Sequence, residues 1–131
     1  MITEEFLNPE SIVVVVGSDD FQKPGGKVLK NLKDTGYPGK LYVVNPKADN
    51  IQGLPSYRRV EDVPQADVAI LAIPAAYCLQ TVEVLCSAKH TKGIIIFSAG
   101  FSEESPEGAQ IEKKIRQVAD QYHATLIGPN C

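Results

Sequence analysis

The chain has 131 residues, 44% of them hydrophobic, which is enough for one compact domain with a real core, and nothing in it suggests a second. Its formal charge of -3 excludes a broad basic surface for nucleic acid, so any anion site must be local. The start, Met1-Ile2-Thr3-Glu4-Glu5, is acidic and lacks a signal-peptide layout, and the apolar runs are too short to cross a bilayer. Cys78, Cys86 and Cys131 form no CxxC pair, so a reduced, cytoplasmic setting without a membrane partner is expected.

In chain order, Ser11 to Val16 is a β-branched run that suits a strand buried on both faces of a parallel sheet. A glycine-containing loop, Gly17 to Lys27, leads into a helix that starts near Gly26 and carries Val28, Leu29 and Leu32, with Gly36 as its C′ residue. Leu41 to Val44 is the second strand. An irregular stretch, Asn50 to Gln65, leaves room for a short strand and one helical turn at Val60 to Val63. Val68 to Ile73 is the next strand, and Ala75 to Lys89 the next helix, with Leu79, Val82, Leu85 and Cys86 at helical spacing. Gly93 to Phe97 is a strand. Ser105-Pro106 then supplies an N-cap and a first-turn proline to a helix carrying Ile111, Ile115, Val118 and Tyr122, before the last strand at Thr125 to Ile127. Strands alternating with helices predict an α/β fold: a doubly wound, mainly parallel sheet of five or six strands with helices on both faces.

Ligands of such sheets settle at the carboxyl ends of strands, where helix N-termini receive phosphate. The first loop offers Gly17, Ser18, Gly25, Gly26 and Lys27 there, with Lys23 as a second cation, and glycines let backbone N–H groups approach a phosphate. It is neither GxGxxG nor a Walker A loop. Asp19 and Asp20 oppose a phosphate seat unless their side chains point outward or cap backbone amides. Asn45-Pro46-Lys47 ends the second strand. An NAD site places an acid near this position, so Lys47 favours a ribose bearing an additional phosphate, as in coenzyme A or NADP. Pro74 followed by Ala75-Ala76 leaves space for a flat group, and Ser98-Ala99-Gly100-Phe101 repeats the arrangement on the next strand. A surface lysine, a packing proline and a purely structural turn are the alternatives at Lys47, Pro74 and Ser98 to Phe101. No catalytic set is visible: His90 reads as a helix C-terminal dipole partner, His123 lies in a polar turn, and Cys78 and Cys86 read as packing residues.

Pro9-Glu10-Ser11-Ile12, Gly17-Ser18, Pro24-Gly25-Gly26-Lys27-Val28-Leu29, Val44-Asn45-Pro46-Lys47, Ile73-Pro74-Ala75, Ser98-Ala99-Gly100-Phe101 and Gly128-Pro129-Asn130-Cys131 occur in this order over nearly the whole chain. The combination resembles the N-terminal coenzyme A-binding domain of NDP-forming acyl-CoA synthetases, relatives of the succinyl-CoA synthetase α subunit. The resemblance implies a Rossmann-like domain that grips the 3′-phospho-ADP part of coenzyme A or an acyl-CoA. Ser18 and Gly25 to Lys27 would seat phosphates, Lys47 would approach the nucleotide phosphate, and Pro74 with Ser98 to Phe101 would line the nucleotide and pantetheine path; Gly17 and Asn45 complete the expected cofactor-binding set. Asp19-Asp20 departs from the family, which has fewer acids after this serine.

In that family the phosphohistidine and ATP-grasp domains lie beyond this segment, so they are expected as downstream or separate partners, residues 1–131 are expected to be the N-terminal part of a longer protein, and this chain alone is expected to be inactive. A CoA-sensing regulatory domain, for example one fused to a lysine acyltransferase, is the second reading. An NADP-binding domain is the third, disfavoured by the missing GxGxxG.

Overall fold

Five consecutive buried residues, Ser11–Val15, form β1, the strand on which the sheet is built. The computed structural model describes residues 9–97 and 106–128. Strand β1 pairs in parallel with β2 (Lys40–Val44) on one side and β5 (Val68–Leu71) on the other, so that Val13 stands between Tyr42 and Ala69. The sheet extends through β6 (Gly93–Ile96) to β7 (Thr125–Ile127), both parallel. On the other side β4 (Leu54–Tyr57) runs parallel to β2 and pairs antiparallel with β3 (Asn50–Ile51). The order is β3-β4-β2-β1-β5-β6-β7.

The doubly wound α/β architecture agrees with the expectation, but the sheet has seven strands and not five or six. The extra strand comes from the irregular stretch, which folds into the β3–β4 hairpin before a single 3-10 turn at Val60–Asp62.

Alternation along the strands divides the core between the two faces. Val13, Val15, Ala69, Leu71, Ile94 and Ile96 pack against α2 (Ala75–Ala88) and α3 (Pro106–Gln121) through Cys78, Val82, Leu85 and Ile115. On the opposite face Val14 and Val43 pack on Leu29 of α1 (Pro24–Asp34), while Ile12, Val68 and Ile70 meet Val28 and Leu32. Leu29 is fully buried, and burying a side chain of that size contributes about 1.5–3 kcal/mol. Burial pushes the Cys86 thiol up to about 11, so it stays protonated and serves as an apolar packing group. No helix among the described residues is long and apolar enough to cross a membrane.

Gly36 terminates α1 at φ +71°, with its N–H bonded to Lys33 O (3.1 Å) and the Tyr37 N–H to Leu32 O (3.1 Å). This is the left-handed C′ geometry that glycine favours. His123 occupies the same position after α3 at φ +58°, with Ala124 N–H to Ala119 O (2.8 Å) closing the motif. His90 follows α2 at φ +55°. Both histidines therefore lie where helices end and β6 and β7 begin, at the amino ends of the strands.

Thr91, next to His90, is fully buried, and its hydroxyl has no hydrogen-bond partner among the described residues. A buried hydroxyl without a partner retains its desolvation cost, so the isosteric Thr91→Val exchange is expected to raise stability by about 1 kcal/mol. Urea unfolding monitored by circular dichroism checks this; a lower midpoint would show that the hydroxyl has a partner.

Candidate functional site

The chain leaves β1 for β2 on one side through α1, and leaves β5 for β6 on the other through α2. This makes the carboxyl ends of β1 and β5 the topological switch point, where a crevice opens in doubly wound sheets. A cleft of about 320 Å³ occurs there. Val16 and Ser18 line it from the loop after β1, and Lys23, Pro24 and Gly25 from the start of α1. Asn45, Pro46 and Lys47 contribute the wall beyond β2, and Ala72, Ile73 and Pro74 an apolar wall beyond β5.

Helix α1 reaches the cleft because two glycines let it approach the backbone. A Cβ on Gly25 would lie 2.0 Å from the Val16 carbonyl oxygen, and one on Gly26 2.1 Å from that of Asp20. Gly17 is buried against α1, where an added Cβ would lie 2.5 Å from a Val43 methyl. The helix begins with Pro24 at its first position, has no side-chain cap at Lys23 and carries no acid in its first turn. Its first backbone bond runs from the Lys27 N–H to Lys23 O (3.0 Å), so the Gly25 and Gly26 N–H groups lie outside the helical ladder. The positive end of α1 is thus open at the cleft.

Asp19 and Asp20 lie outside the cleft lining, and each carboxylate is turned to a backbone amide. Asp20 Oδ1 accepts from the Gln22 N–H (2.9 Å) and Asp19 Oδ1 from the Gln52 N–H (2.6 Å). Ser18 Oγ accepts from the Asp20 N–H (3.0 Å), which leaves its hydroxyl proton able to donate. Asn45 joins the two loops: its Nδ2 donates to Gly17 O (2.8 Å) and its Oδ1 accepts from the Lys47 N–H (2.8 Å). Arg58 braces the same wall, donating to Pro46 O (3.2 Å) and to Asp49 Oδ1 (2.8 Å). The hydrogen bond from Arg58, with its charge, holds the Asp49 carboxyl below the usual carboxylate range.

Of the residues expected at the site, Ser18, Gly25, Asn45, Lys47 and Pro74 meet at the cleft. Gly17 and Gly26 are buried framework beside it, and Lys27 is exposed outside its lining; Lys23 is the lysine of the first loop that faces the cleft. Ser98, Ala99, Gly100 and Phe101 lie outside the described residues. Arg58 and Gln52 were not anticipated; nothing in the local pattern marks Gln52, whose partner Ser18 O lies 34 residues away. Among the described residues the lining contains two lysines and no acid. A second depression of about 360 Å³, at the amino end of the sheet, includes Glu10 and Asp67 and is unsuited to an anion. No group of three or more His, Cys, Asp or Glu among the described residues could hold a metal ion.

Residues 10–131 match the family model described as "CoA binding domain". The chain belongs to this CoA-binding domain family. The chain is 39% identical over 127 residues to the α subunit of ADP-forming acetate–CoA ligase II from Pyrococcus furiosus, covering 96% of this chain and 27% of that protein. It is 40% identical over 127 residues to ADP-forming acetate–CoA ligase II from Archaeoglobus fulgidus, covering 96% of this chain and 19% of that protein. Among solved structures, PH0766 from Pyrococcus horikoshii superposes with a TM-score of 0.88 at 39% identity, over 99% of this chain and 30% of that one. The dinucleotide-forming acetyl-coenzyme A synthetase 1 of Candidatus Korarchaeum cryptofilum gives 0.85 at 33% identity, over 97% and 27%. The chain therefore spans less than a third of the length of each of these relatives. The family resemblance carried by the sequence motifs agrees with these matches, and the seven-stranded sheet is the Rossmann-like core of the domain.

Replacing Gly25 by Ala would force its methyl group into the Val16 carbonyl. Backbone must move to admit it, so Gly25→Ala is expected to destabilise the domain by about 1–3 kcal/mol. Thermal unfolding compared with an exposed control, Gly53→Asn in the β3–β4 turn, measures this; an unchanged Gly25→Ala midpoint would contradict the close approach.

Proposed function

We propose that the cleft binds coenzyme A through its 3′-phospho-ADP part, and that the chain is the coenzyme A-binding module of an ADP-forming acyl-CoA synthetase. The observation that carries this reading is a cleft, bounded by Lys23, Lys47 and the uncapped start of α1 and holding no acid among the described residues, in a member of the CoA-binding domain family. An anion at a helix N-terminus gains about 0.3–1 kcal/mol from the dipole, and a charge-assisted hydrogen bond adds about 1.5–3 kcal/mol. In this reading the Ser18 hydroxyl and the Gly25 and Gly26 amides take the pyrophosphate with Lys23, Lys47 takes the 3′-phosphate, and Ala72 to Pro74 pack against the flat base. Ser98 to Phe101 would continue the path toward the thiol, and coenzyme A is a substrate of such ligases, not a resident cofactor.

Activating a carboxylate through an acyl phosphate needs a phosphoryl carrier and a nucleotide site. His90 and His123 stand at helix ends at the opposite end of the sheet from the cleft, which supports assigning those steps to further phosphohistidine and ATP-grasp domains. This chain would hold and orient the thiol substrate.

Titration calorimetry with coenzyme A, dephospho-CoA, NAD and NADP tests the proposal. Coenzyme A is expected to bind most tightly, and Lys47→Ala to weaken it by about 1–3 kcal/mol while affecting dephospho-CoA less. Equal losses for both would move Lys47 to the pyrophosphate, and tighter binding of NADP would overturn the coenzyme A reading.

A further inference from the structure

The loop that forms one wall of the cleft is held in shape by a residue that does not line the cleft. Gln52 occupies the turn between β3 and β4, on the outer edge of the sheet, and its side chain reaches back to the start of α1. Its Nε2 donates to Ser18 O (2.8 Å) and to Gly26 O (3.0 Å), spanning the loop from its first turn to the first turn of the helix. Its backbone N–H donates to Asp19 Oδ1 (2.6 Å). Three points of the loop are therefore tied to a single residue that is remote in sequence.

The backbone at Gln52 makes this choice of residue informative. Gln52 has φ +51° and Gly53 φ +81°, the pair of positive angles that a two-residue type I′ turn requires and that asparagine and glycine favour. The turn alone gives no reason for glutamine. The side chain does: both protons of its amide are used, on two carbonyls that belong to the loop and the helix, and neither bond contributes to the hairpin.

The geometry points to Gln52 as a positioning residue for coenzyme A, one that preorganises the Ser18–Gly26 wall before the ligand arrives. This rests on the coenzyme A reading of the cleft. When the side-chain ties are absent, the loop samples other conformations and binding must restore the one in which Ser18 and the first amides of α1 face the phosphates. Affinity then falls although no ligand contact has been removed.

Gln52→Gly separates positioning from support of the fold, because glycine relieves the left-handed backbone while deleting both side-chain bonds; Gln52→Met deletes the bonds and keeps the bulk. In the 131-residue chain, Gln52→Gly is expected to unfold at or above the wild-type urea midpoint. Amides of residues 18–26 should exchange with deuterium about tenfold faster without ligand, and the coenzyme A dissociation constant should rise about tenfold in both variants. Wild-type binding of coenzyme A with unchanged variant affinity would overturn the Gln52 assignment alone. A fall in the Gln52→Gly midpoint that parallels the affinity loss would also overturn it, by making the side chain a support of the fold. Failure of the wild type itself to bind coenzyme A would overturn the cleft reading, and Gln52's part in it, together.

Discussion

The close approach of α1 to the end of β1 is the contact on which the rest of the site depends. Gly25 and Gly26 bring the helix backbone against the carbonyls of Val16 and Asp20, at separations no side chain allows. That approach aims the first turn of α1 across the carboxyl end of β1, and the switch in strand order opens the crevice at the same place. Leu29, fully buried between Val14 and Val43, fixes the helix against the opposite face of the sheet from α2 and α3. The same burial that stabilises the domain therefore sets the direction in which the helix dipole points.

Electrostatics follow from this framework. The chain as a whole is acidic, yet among the described residues the cleft lining contains Lys23 and Lys47 and no carboxylate. The acids of the adjoining loop, Asp19 and Asp20, accept hydrogen bonds from backbone N–H groups, so their charge stabilises the loop. Asp49 is likewise held by Arg58, which ties the second wall through Pro46. A locally positive cleft on an acidic surface favours a compact polyanion over an extended one such as nucleic acid.

Much of this was legible from residue order. β-branched runs located the strands because a doubly covered parallel sheet needs continuous apolar stretches, and the termination of α1 at Gly36 followed from glycine's left-handed freedom. The β3–β4 hairpin was not, because strands of two and four residues hold no readable period and Pro55 argues against a strand. Lys47 was legible from its place after β2, whereas Lys23 lining the cleft in place of Lys27 depends on how α1 meets the loop, which spacing along the chain does not specify. The role of Asp19 was hidden for a related reason: its partner amide is Gln52, 33 residues away. Local pattern identifies elements; the loops between them are decided by contacts remote in sequence.

The proposed function puts coenzyme A in the cleft at the carboxyl ends of β1, β2 and β5. Titrating ¹⁵N-labelled protein with coenzyme A and following backbone amide shifts locates the ligand directly. The largest saturable shifts are expected at Ser18, Gly25, Gly26 and Lys47, with Glu10, Lys40 and Asp67 at the opposite end of the sheet unmoved. Saturable shifts confined to Glu10, Lys40 and Asp67, or no saturable shift anywhere, would contradict it.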